Sequence, residues 1–227
     1  MKYYSLTNNS NTATFDEAVI RGLAPDRGLY FPAKTERLSE DFLQDLENKT
    51  PVEVGVEVMR PFVGGTIPEE RLKKIVEDTL CFDFPLVPIH KGIDTLELFH
   101  GPTMAFKDVG ARFMARCIGY FNEQSPKKVT VLVATSGDTG GAVASGFLGI
   151  EGTEVIILYP KGKVSDIQEL QLTTNGNNIK AIEVDGVFDD CQEMVKTAFL
   201  DKDLNNAYNL TSANSINVAR WLPQSLY

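Results

Sequence analysis

An α/β fold, a mostly parallel sheet with flanking helices, is what this sequence predicts for residues 93–227, preceded by a largely helical region over residues 1–92. Three observations carry that reading. Short β-prone runs recur as VTVLVA (129–134), EVIILY (154–159) and IKAIEV (179–184), and the first is a continuous run without a charge and apolar but for Thr130, as expected of a strand buried on both faces. Helical patterns separate them, and strand–helix alternation builds a parallel sheet covered by helices. The first run ends in the glycine-rich stretch SGDTGG (136–141), a sharp passage from strand to helix.

Taken in order, SEDFLQDLEN predicts a short helix capped by Ser39, with Leu43 and Leu46 on one face. TPVEVGVEVMRPFV alternates like a strand but has the length of a helix, and Pro61 is expected to stop either. IPEERLKKIVEDTL predicts a helix with Pro68 in its first turn and a stripe of Leu72, Ile75, Val76 and Leu80. FDFPLVPIHKGID, with two prolines, reads as a connector. TLELFH (95–100) then reads as a strand, and residues 106–122 as a helix with Val109, Phe113, Cys117 and Phe121 in register. A small-residue helix is expected over 140–149. Ser165 and Gln168 form a capping box for a helix through Leu172, and Phe188, Cys191, Val195 and Phe199 mark another. YNLTSANSINVARWLPQ passes from strand to helix, with Asn214 or Ser215 as the expected cap.

Composition excludes several functions. Lys and Arg number 22 against 31 Asp and Glu, a net charge of −9, which disfavours a nucleic-acid or anionic-membrane surface. No apolar run reaches the roughly 20 residues of a membrane span, and the start lacks a secretory apolar core, so a cytoplasmic protein is expected. Cys81, Cys117 and Cys191 are widely spaced, as buried free thiols in a reducing compartment would be. His90 and His100 stand without clustered cysteines, so neither a metal site nor a histidine-dependent nucleophile is supported.

Lys107 is the residue that stands out. A solvated lysine is the ordinary reading, yet it falls where a helix begins, and that end carries positive partial charge that disfavours a cation. With Phe106 and Met104 alongside, the same field is expected to favour the neutral amine that condenses with an aldehyde. The SGDTGG turn can aim backbone N–H groups at a carboxylate or phosphate, or can simply be a tight turn. It matches neither the dinucleotide GxGxxG pattern nor a Walker loop. Lys161 and Lys163 lie just past a strand's C-terminal end, where open parallel sheets bind ligands, although a surface loop with two ordinary lysines is the preferred reading.

Four ordered stretches, HGPTMAFKD, SGDTGGAVASGFLG, VIILYPKGKVSDIQ and TSANSINVAR, together resemble the threonine synthase family of fold-type II pyridoxal-phosphate enzymes. GLAPDRGLYFP (22–32) is similar to that family's N-terminal region, so the chain divides into a threonine synthase-type region over 1–92 and a cofactor domain over 93–227. The resemblance implies pyridoxal 5'-phosphate as cofactor, with Lys107 as its Schiff-base lysine and as acid and base on the substrate. Phe106 and Asp138 would lie against the cofactor, although many relatives carry asparagine at the latter position. Ser136, Gly137, Thr139 and Gly140 would take the substrate's carboxylate. The implied reaction converts O-phospho-L-homoserine and water into L-threonine and phosphate, with Lys161, Lys163 and Arg112 as phosphate partners to be tested. The family's cofactor-phosphate loop and pyridine-nitrogen partner are expected beyond residue 227, which makes this an N-terminal portion, inactive by itself and prone to self-association. A related dehydratase or β-replacement enzyme, and a non-catalytic module without cofactor, stay as alternatives.

Overall fold

The computed structural model describes residues 1–123 and 127–227. The parallel sheet is present, with four strands in the order β8–β7–β6–β9. Its members are β6 (Val129–Ala134), β7 (Thr153–Pro160), β8 (Ile179–Val184) and β9 (Leu210–Ser212), every pair parallel. Alternation along β6 explains why its sequence is apolar at every position but Thr130. Val129, Val131 and Val133 join the larger core on one face, while Leu132 and Ala134 join Cys191, Val195 and Leu210 on the other. Helices cover both faces: α5 (Lys107–Asn122), α6 (Asp138–Phe147) and α7 (Asp166–Thr173) contribute to the larger core, and α8 (Phe188–Leu200) to the smaller one. Two short helices, α9 (Lys202–Tyr208) and α10 (Val218–Trp221), flank β9. The expected starts hold to within two residues, and the Ser165–Gln168 capping box forms as read.

The N-terminal region holds α1 (Phe15–Arg21), α2 (Glu40–Gln44), α3 (Pro51–Val63) and α4 (Glu69–Thr79), but it is less helical than expected. A small antiparallel sheet in the order β2–β1–β3 joins Thr12–Ala13, Tyr3–Ser5 and Tyr30–Pro32. Strands of two or three residues leave no periodicity to read. The ambiguous 50–63 stretch is helix α3, because Thr50, Pro51 and Glu53 make a complete capping box at its start. Pro61 does not end it. It sits in the last turn, and the helix runs two residues further to Val63 and is capped by Gly64, whose left-handed φ of 58° suits glycine. The supposed connector is a hairpin of β4 (Leu86–His90) and β5 (Ile93–Leu96), so TLELFH stops being strand after Leu96 and lies outside the parallel sheet.

One buried cluster runs through both regions. The carbonyl of Val19 on α1 accepts from Thr211 Oγ1 at 3.2 Å and from Asn217 Nδ2 at 2.8 Å, which locks the first helix onto the last strand. Asn217, rather than Asn214 or Ser215, caps α10, since its Oδ1 accepts from Ala219 N. Leu222–Leu226 forms a 3-10 turn instead of continuing a helix, and Tyr227 packs against Phe84 with rings 5.6 Å apart. Cys117 and Cys191 are buried, whereas Cys81 is exposed, against expectation.

Candidate active site

Lys107 is the first residue of α5, and Asp138 is the first of α6. Both helices start at the same edge of the sheet, so the two side chains meet: Lys107 Nζ lies 3.3 Å from Asp138 Oδ2. The lysine side chain is 24% exposed and its nitrogen stands 4.3 Å from the centre of the Phe106 ring. The amine thus sits at the glycine turn rather than out in bulk water. A carboxylate and an aromatic face both lie against the amine, and sequence reasoning about the helix field saw neither.

Lys107 is held from below by residues that the sequence did not single out. Asp108 is fully buried, and its two oxygens accept from Thr103 N at 2.9 Å and Thr103 Oγ1 at 2.6 Å. A side chain at Gly101 would strike this carboxylate, so the glycine of HGPT is required by close approach. Met104, inside the same turn, adopts φ 57°, a strained value for a non-glycine residue. Arg220, 2% exposed, donates from Nη1 to the Lys107 carbonyl at 3.1 Å, while its Nε has no partner among the described residues. Burial pushes the Arg220 guanidinium down to about 10, with the nearby Asp108 charge opposing the shift.

The glycine turn is organised by Thr135, another residue that sequence reasoning passed over. Its buried Oγ1 accepts from Gly137 N at 3.0 Å and Gly140 N at 2.8 Å. Those two expected ligand contacts therefore shape the turn, and their N–H groups face inward. The N–H groups of Ser136, Asp138 and Thr139 find no protein acceptor among the described residues. They lie at a helix N-terminus, where the field favours an anion. A hydroxyl directly before a glycine turn was the available signal for Thr135.

The remaining candidates lie elsewhere. Arg112 is committed to α4, donating to the Asp78 carbonyl at 3.0 and 2.6 Å and to Cys81. Lys161 is exposed and 4.0 Å from Glu183, and Lys163 is exposed. His100 contacts Glu97 and His90 contacts its neighbour's N–H, and no group of three His, Cys, Asp or Glu with metal-ligand spacing occurs among the described residues. A cavity of about 780 Å³ opens beside β6 and β9, lined by Ala134, Val195, Phe199, Ser212 and Asn214 among others, but neither Lys107 nor the turn lines it. No helix among the described residues is long and apolar enough to cross a membrane.

Two family models match the chain: "Threonine synthase N terminus" over residues 2–80, and "Pyridoxal-phosphate dependent enzyme" over residues 95–224. A curated threonine synthase from Buchnera aphidicola (subsp. Acyrthosiphon pisum) is 46% identical over 228 residues, covering 100% of this chain and 53% of the relative. Among solved structures, threonine synthase from Escherichia coli superposes with a TM-score of 0.91 at 42% identity, over 100% of this chain and 53% of that one. A PLP-bound threonine synthase from Brucella melitensis gives a TM-score of 0.93 at 40% identity, over 100% and 50%. The chain spans about half the length of the curated relatives it matches.

Proposed function

We propose a function from one premise: the chain belongs to the pyridoxal-phosphate-dependent enzyme family, with a threonine synthase N terminus ahead of its cofactor fold. On that premise the protein acts as a threonine synthase, converting O-phospho-L-homoserine and water into L-threonine and phosphate. The observation that carries the reading is the Lys107 amine, partly exposed at the sheet edge beside the glycine turn and Asp138.

The donor set fits the aldehyde end of pyridoxal phosphate. A primary amine is the group that condenses with an aldehyde, and here it lies beside an aromatic ring, on a backbone fixed by Asp108 and Arg220. When bound, the cofactor supplies an electron sink for charge that develops on the substrate's carbons. Lys107 Nζ would hold it and, once released, would carry protons to and from the substrate. Asp138 Oδ2 balances the charge of that nitrogen and keeps it directed at the turn. The free N–H groups of Ser136, Asp138 and Thr139 would orient the substrate's carboxylate, with Gly137 and Gly140 shaping the loop that offers them. Phe106 would shield the amine from water on one side.

Incubation with pyridoxal phosphate followed by borohydride should fix the cofactor on the peptide that contains Lys107, and K107A should abolish both this adduct and phosphate release from O-phospho-L-homoserine by the protein that carries the chain. An unmodified Lys107 peptide in the parent would overturn the assignment.

A further inference from the structure

Gln168 does two jobs with one amide. Its Oε1 accepts from Ser165 N and Oγ, both at 3.1 Å, which caps α7. Its Nε2 donates to Asp138 Oδ1 at 2.7 Å, while the other oxygen of that carboxylate faces Lys107. A hydrogen bond to one oxygen fixes the rotation of a half-exposed carboxylate and so decides where the second oxygen points. We propose that Gln168 is a positioning residue, which pins Asp138 onto Lys107 and thereby links the start of α7 to the reactivity of the amine. The inference rests on the functional reading only in taking Lys107 as the reacting group.

Two further observations support it. Gly137, at φ 138°, is the residue over which the Gln168 amide lies, and any Cβ there would overlap that amide. The turn therefore needs glycine both for its backbone and for this contact. The other charged groups near Lys107 are already committed. Asp108, on α5 itself, is spent on Thr103, and Arg220, from α10, is bound to the Lys107 carbonyl. From α4, Asp78 meets α5 a full turn later through its carbonyl on Arg112, and α7 brings the Gln168 amide to this edge. Asp138 is thus the counter-charge whose position Gln168 controls.

The test needs no cofactor. Acylation of Lys107 by acetic anhydride, followed by peptide mass spectrometry across a pH series, reads the availability of the free amine. Q168A should raise the rate at neutral pH about two- to fivefold, the range expected from loosening one partly exposed ion pair. D138N should raise it at least as much, and Q168A added to D138N should change nothing further. S165A removes a cap oxygen but keeps the Gln168 amide, and should leave the profile unmoved. An unchanged rate in Q168A, an equal rise from Q168A in the D138N background, or a matching rise in S165A would each overturn the proposal. Because the assay contains no pyridoxal phosphate, failure to capture cofactor would count against the functional reading alone.

Discussion

The loop around Asp26 and the turn around Asp138 are built alike and used differently. In each, a carboxylate is clamped beside a glycine that cannot carry a side chain: at Gly28 a Cβ would overlap Ser5 Oγ, and at Gly137 it would overlap the Gln168 amide. Asp26 accepts from Ser5 Oγ at 2.7 Å, Asn11 Nδ2 at 2.8 Å and Gly28 N at 3.0 Å, all neutral donors. Asp138 accepts from one neutral amide and from a lysine. Neutral donors close a loop and leave nothing over, whereas the Asp138 clamp keeps a charge beside a reactive amine. The partner type, rather than the clamp itself, separates scaffold from site.

The comparison breaks most readily at Thr135. T135V keeps the side chain's shape but strands two inward-facing amides, a loss of about 2–6 kcal/mol at roughly 1–3 kcal/mol for each orphaned buried donor. Chemical denaturation should show it, together with weaker borohydride-fixed cofactor on Lys107. Unchanged stability and capture would mean that the turn does not depend on this hydroxyl.

On the scaffold side, G28A should cost about 1–3 kcal/mol by overpacking against Ser5 and Thr7, read as a lower melting temperature. Lys107 acylation should stay at the parent rate. A change in that rate would erase the distinction between the two loops.

The smallest effect concerns pH. The hydrogen bond from Ser5, aided by those from Gly28 and Asn11, holds the Asp26 carboxyl below its ordinary range. A depressed acid contributes stability that is complete above the unfolded value near 4 and is lost as pH falls through the lower, folded one. The gap between parent and D26N in urea unfolding should therefore be full at pH 6 and shrink on acidification below about 4. A gap that persists undiminished to low pH would remove the charge from the argument.

Much of the fold was legible because its signals are local. VTVLVA could only be a strand with both faces covered, and the S-x-x-Q box and the Phe188 stripe marked helices at their observed places. The β1–β3 sheet was not legible, since its pairings join segments up to about 30 residues apart through strands too short to show a pattern. The site divides the same way. Lys107 and the glycine turn announced themselves by residue type and position. Thr135, Asp108, Arg220 and the Gln168 amide matter through what they touch, and contacts such as Arg220 to Lys107 span 113 positions. The Asp138 contact to Lys107 was hidden for the same reason, because Asp138 approaches from another helix.

The Val19 carbonyl waits for donors 192 and 198 residues further along. At roughly 5–20 residues per second, a ribosome reaches those donors about 10–40 s after α1 has been made. Through that interval the first helix has no final seat, so a nascent chain stalled before residue 211 should offer its leading segment to chaperones and proteases that the finished protein keeps out.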